Sequence, residues 1–315
     1  MTGAERREVF GTGRLLLCLA LFFCHALFLR NHQVATEAVL KGLILSAKAI
    51  IPSLFPCLVL SSMLVEGNFE ALVFAPLAKR LGLNPSALCA LILALLCGAP
   101  VGARALAQAC EKGSLSKGKA ERLLCLVGTP SLPFLVGTVG GGFLGSLRLG
   151  WLLWLSTLPG LFLSALLFCR KQGEAKDTEE LYAPAPRFSV LLGNGIASAT
   201  KSVLLVSAYV VFFSALFAAL RYCFVAFDLS PALSAFFYCL AELSGGLREA
   251  AALPTSIALP LCGFAVGFSG FAIFFQILSL TDRQGLLPKH YLPAKLLQGG
   301  LAALLFPLFC HFFGT

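Results

Sequence analysis

The sequence predicts an all-α, polytopic helical membrane protein, and three observations carry that prediction. Of its 315 residues, 58% are apolar and only 12% are charged, where soluble domains run near 45–50% and about 25%. The mean hydropathy is +0.88. The apolar residues also come in continuous blocks, not in the alternation of an outer-membrane barrel. Helices must then satisfy the backbone in lipid. A water-soluble enzyme is excluded, because these few charges would not cover its surface.

The elements follow in order. Glu5, Arg6, Arg7 and Glu8 form a charged tail, and Arg14 opens the apolar run Leu15–Leu29, which Arg30 closes. No small-x-small cleavage site follows, so we expect an uncleaved first helix with its basic tail inside. Further apolar blocks lie near 42–65, 69–83, 86–110, 122–147, 149–169, 188–226, 230–247, 254–280 and 291–313. A crossing helix needs about 20 residues, and several blocks fit that length badly, so we expect about seven to nine spans with some broken or re-entrant helices. The 69–83 block ends in Lys79 and Arg80 and suits the interface.

The stretch 170–187 is charged and proline-stiffened and reads as a solvated linker loop within a single membrane domain, 1–315. It divides the chain into halves, 1–169 and 188–315. CGAPVG at 97–102 echoes CGFAVG at 262–267, and Lys48 precedes Ser61 by the same 13 residues that separate Lys201 from Ser214. These matches predict a two-fold internal repeat, the common plan of transporters.

The net charge of +9 reflects Lys and Arg in cytoplasmic loops, at 112–122 and 170–176, and not a nucleic-acid surface. None of the 12 cysteines forms a CxxC pair, so they read as apolar filler, with no metal site and no cofactor. The four histidines form no metal-binding or catalytic pair, no carboxylate pair stands out, and we expect no catalytic residues and no enzyme.

Five segments could line a polar site. Pro52 and Pro56, around Ser53, free the carbonyls of Lys48 and Pro52. Such a helix is either broken around a ligand or kinked and satisfied by a neighbour. Gly98, Pro100 and Gly102, followed by Arg104, suit a helix break or hairpin tip, with plain helix packing as the alternative. Thr129, Pro130 and Ser131 suggest unwound backbone beside something polar. Glu242 is an ionisable residue in an apolar block, and so a candidate functional group unless Arg248 pairs with it. Ser269 and Gln276 offer hydrogen-bonding groups to a polar ligand or to a neighbouring helix. The charges in or beside apolar blocks are Lys48, Arg104, Lys201, Glu242 and Arg248.

PSLFP at 52–56 with Ser61 and Ser62, GAPVGA at 98–103, GTPSLPFLVG at 128–137, AELSGG at 241–246 and GFSGFAIFFQ at 267–276 stand in a fixed order. That set resembles the YlbJ-type sporulation integral membrane proteins, which belong with the nucleoside-recognition Gate-domain proteins. The chain departs from that pattern at Thr129 and Leu132, where the family tends to carry Asn, and at Ser269 and Phe274, where Gly and His are frequent. The resemblance implies a transporter-like Gate fold and a multi-pass protein of the inner membrane of an endospore-forming bacterium. It implies a role in spore formation and a small polar solute, nucleoside-like or an ion. The expected partners are the lipid bilayer and either further copies of the chain or a sporulation membrane complex. The alternative is a non-transporting scaffold or channel-assembly component.

Overall fold

A computed structural model describes residues 3–169, 186–225 and 229–313, and every regular element in them is helical. The linker read at 170–187 lies almost entirely outside the described residues. Helix α1 (Gly3–Arg30) is followed by α2 (His32–Leu45), which runs through a π-helical turn (Ser46–Ile50) into α3 (Ile51–Glu66). Next come α4 (Phe69–Leu81), α5 (Pro85–Cys97), α6 (Ala99–Glu111), α7 (Lys117–Leu123) and a π-helical segment (Phe134–Phe143). Then α8 (Leu147–Phe168) leads to the 38-residue α9 (Phe188–Val225). The chain ends with α10 (Pro231–Ala241), α11 (Leu243–Ala251), α12 (Thr255–Phe268), α13 (Gly270–Thr281) and α14 (Tyr291–Phe313).

Six helical runs among the described residues are long and apolar enough to cross a membrane, and seven if the bent pair α4–α5 is counted as one span. The bend of 99° at that pair sets α4, with Lys79 and Arg80 in its last turn, across the direction of α5. The π-helical segment is apolar but shorter than a span. Before it, Glu121 of α7 bonds Lys289; at its far end Phe143 and Leu144 pack on the core that holds Ala250.

Two helix pairs fold back on themselves. Helices α5 and α6 turn back on each other at Gly98, so that Gly102 lies against Ala94. Helices α10 and α11 do the same at Glu242, with Gly246 against Cys239. The bases of these two hairpins lie at opposite ends of the molecule. Asn84 beside α5 donates to Ser114 O, and Glu111 accepts from Gln284. Beyond α11, Leu253 packs near Cys310, and Glu249 pairs with Arg221 near the end of α9.

Close packing relies on small residues, as expected where lipid removes the hydrophobic drive between helices. Gly263 and Gly267, four apart on α12, let α14 approach so closely that a Cβ on Gly267 would lie 2.5 Å from Gln298 O. The outer surface carries large apolar side chains such as Phe22, Leu29, Phe162 and Leu304, all more than two-thirds exposed. Such a surface is unsuited to water and suits acyl chains.

Candidate functional site

The site is built from helix ends. Pro85 starts α5 behind Asn84, whose side-chain oxygen accepts from Ser86 N at 2.9 Å and Ala87 N at 3.2 Å, a common N-cap. Helix α5 stops at Gly98, whose φ of 97° only glycine adopts without strain. Pro100 then sits in the first turn of α6, where its missing N–H is not needed. The turn's polar groups are met from outside: Ala99 N donates to Thr129 O at 2.7 Å, and the Thr129 hydroxyl donates to Ala94 O at 3.3 Å. The unwound segment 128–131 is thus laid across the first hairpin tip.

The second tip caps itself. Glu242 is extended and precedes α11, and its two carboxylate oxygens accept from Ser244 N and Gly245 N, each at 2.7 Å. The hydroxyls of Ser214 and Ser244 reach the same carboxyl. A carboxylate placed on the free amides of a helix N-terminus is stabilised there by the helix dipole. Glu242 is 2% exposed, and no cationic side chain among the described residues lies within ion-pair distance. Arg248 is exposed, so it does not neutralise Glu242. The break between α12 and α13 is compact. Ser269 and Gly270 both have positive φ, the Ser269 hydroxyl donates to Val266 O at 2.9 Å, and Gly270 backs onto Cys239 O of the second hairpin.

These pieces enclose a cavity of about 60 Å³, room for a few waters or one small ion at about 10–15 Å³ each. Of the residues singled out in the sequence, Ser53, Gly98, Pro100, Thr129, Pro130, Ser131, Glu242 and Gln276 line it. Gln276 is 2% exposed, and its amide has no hydrogen-bond partner among the described residues. Four others do not line it. Pro52 and Pro56 are on the exposed side of α3, Gly102 packs against Ala94, and Ser269 closes the break behind the cavity.

The 52–56 stretch is not unwound. The π-helical turn at Ser46–Ile50 takes up the register change ahead of Pro52, Ser53 donates to Ile50 O at 3.1 Å, and α3 continues through Pro56. A second cavity, about 230 Å³, lies on the far side of the second tip between α2, α9 and that hairpin. Ser214, Tyr238 and Gly245 line it, with Lys41, Arg221, Arg248 and Glu249 farther along. Of the apolar-block charges, Lys48 and Lys201 are exposed. Arg104 donates to Ser198 O at 2.8 Å and Ser202 Oγ at 2.6 Å, tying the first hairpin to α9.

Sequence reasoning missed Lys295, whose side chain is fully buried in α14. Its place just after Pro293 at the edge of an apolar block reads as an interface cation; only the polar company of Tyr291 and Gln298, one helical turn to either side, signals otherwise. Outside the spans, Glu121 is held at the molecule's basic end. Burial opposes its charge, but Lys289 Nζ at 2.8 Å and Leu287 N at 3.2 Å outweigh that and keep its carboxyl below the usual range. No group of three or more His, Cys, Asp or Glu side chains among the described residues could hold a metal ion.

Opposed re-entrant hairpins, interrupted helices and crossing helices around a buried polar centre define a polytopic, multi-pass helical membrane protein. Its similarity is to the sporulation integral membrane protein YlbJ of Bacillus subtilis (strain 168), 24% identical over 92% of this chain and 81% of that protein. The chain is an integral membrane protein that resembles YlbJ over most of its length. No family model and no solved structure matches it.

Proposed function

We propose that this is a non-enzymatic, transporter-like protein with a Gate-type fold, which moves a small polar solute across the bacterial cell membrane during spore formation. One observation carries the reading. Two hairpins entering from opposite ends meet at a cavity that holds the Glu242 carboxylate and the unengaged Gln276 amide. Interrupted helices with a polar site between them are the usual construction of secondary transporters. Glu242 would take a cation or a donor group of a nucleoside-like solute, Gln276 would orient it, and Ser53, Thr129 and Ser131 would complete the lining.

The order long helix, hairpin, interrupted helix, long helix runs twice, over 32–168 and 188–313, and supports an internal duplication with the site at its interface. The role in sporulation is carried over from the relative's name. Nine Lys and Arg at helix ends and loops of the described residues lie at the end with the first hairpin's base (Lys79, Arg80, Lys112, Lys117, Lys119, Arg122, Arg187, Arg283, Lys289). Four lie at the other (Arg30, Arg148, Arg221, Arg248). That bias supports a cytoplasmic position for the first hairpin's base.

The test is uptake into proteoliposomes across a panel of nucleosides, amino acids and ions, comparing wild type with Glu242→Gln. The reading expects saturable uptake that the variant loses, and a wild type that moves nothing sinks it. The small size of the cavity favours one rival, a non-transporting component of a sporulation membrane complex or homo-oligomer. Affinity capture of stoichiometric partners, with no uptake, would select it.

A further inference from the structure

We infer that Lys295 is a tethered cation: its ammonium fills an oxygen-lined site, in the unwound segment after α7, that would otherwise take a small monovalent metal ion. The inference stands apart from the proposed transport role and uses a different part of the fold.

The chain leaves α7 at Leu123 and does not resume regular helix until the last residues before Phe134. Carbonyls there lose their helical partners, at the negative end of a helix dipole. Unwound carbonyls of this kind coordinate cations in transporters. Here α14 supplies the positive group instead. Lys295 Nζ donates to Gly128 O at 2.8 Å and to Gln298 Oε1 at 2.8 Å, and stands 5.7 Å from the centre of the Tyr291 ring. Gln298 is fixed by donating from Nε2 to Cys125 O and to Ser164 Oγ, both at 3.1 Å, so its oxygen faces the ammonium.

The surroundings are shaped around that amine. A Cβ on Gly128 would lie 2.6 Å from Lys295 Cε and 2.6 Å from the Tyr291 hydroxyl oxygen. That hydroxyl is buried and has no hydrogen-bond partner among the described residues, which leaves a further oxygen at the same spot. Lys295 has no exposed surface, and no carboxylate among the described residues lies within ion-pair distance. If packing alone were needed, Leu or Met would fill the space without the cost of burying a cation. The amine is therefore held there by neutral oxygens and a ring face, as a metal ion would be.

The test is thermal unfolding of the purified full-length protein in sodium, lithium, potassium or choline chloride at equal ionic strength. Every variant is made in a Glu242→Gln background, so that ion binding in the central cavity does not contribute. The parent should unfold alike in all four salts. Adding Lys295→Ala should lower Tm in choline and open a response to sodium or lithium, a saturable rise of about 2–5 °C. Lys295→Met, which refills the space without oxygens, should be destabilised with no such response. A saturable sodium response in the parent, an alanine variant indifferent to all four salts, or a methionine variant that responds like alanine would each overturn the inference. If the alanine variant is lost on extraction in choline, folded yield becomes the readout. Recovery in sodium or lithium supports the tethered cation, and failure in every salt overturns it.

Discussion

The two hairpins turn on the same cavity, but their tips are finished differently. The first turns on Gly98 and borrows its partners from the 128–131 segment, so its tip carries no charge of its own. The second turns on Glu242 and closes its own helix end with a carboxylate. Two hairpins of similar build therefore do not make a symmetric site. The cavity's formal charge comes from one half alone, while the other half contributes backbone, hydroxyls and a proline. The interrupted helices differ in a parallel way. The 124–133 interruption is long and needs Lys295 and Gln298 from α14, whereas the Ser269–Gly270 break needs one hydroxyl and the neighbouring tip.

The sharpest way to break this contrast is at the tips. Glu242→Ala strands two buried amides and should cost about 3 kcal/mol by thermal or denaturant unfolding. Glu242→Gln, which keeps one acceptor, should lose clearly less; equal losses would mean that the cap is not what holds the second tip. At the first tip Gly98→Ala should cost about 2 kcal/mol, through strain at positive φ and a Cβ 2.9 Å from Ser131 N. A neutral result there would mean the turn relaxes and the 128–131 segment is not braced on it.

The ties to α9 give a smaller effect. Arg104→Ala removes two largely sheltered hydrogen bonds and should cost about 1–2 kcal/mol. Arg221→Ala breaks a more exposed pair with Glu249 and should cost under about 1 kcal/mol. A reversed order in parallel unfolding scans would reassign which hairpin is held more firmly.

The smallest effect expected is at the basic end. Because the Glu121 carboxyl is held below its usual range, its pairing with Lys289 stabilises the fold fully above the unfolded value near 4.5 and fades as pH falls through the lower folded value. Glu121→Gln should flatten that acid limb and lower stability at neutral pH by less than about 1 kcal/mol. An unchanged limb would show that the loop is held by something else.

The membrane class was legible because charge is scarce throughout and apolar blocks are continuous. The positions of the turns at Gly98 and 128–131 were legible because glycine and proline act on the backbone locally. Their partners were not, since nothing near Gly98 says that Thr129 will cover it. Of the two readings open for Pro52, the satisfied helix is the one seen: a π-helical turn upstream absorbs the lost hydrogen bond, so proline there bends nothing open. CGAPVG and CGFAVG share letters but not jobs. The first holds a hairpin tip, and the second lays two glycines on α12 against α14. Lys48 and Lys201, in or beside apolar blocks, reach the surface, while Lys295, which the sequence reading passed over, is buried.

The self-closed second tip has a mechanical consequence. Its acceptors come from the residue that opens the helix, so the backbone amides there are capped without help from another segment. The first hairpin cannot leave the 128–131 segment on the same terms. Behind the second tip lies the 230 Å³ cavity with its Tyr238 and Ser214 walls.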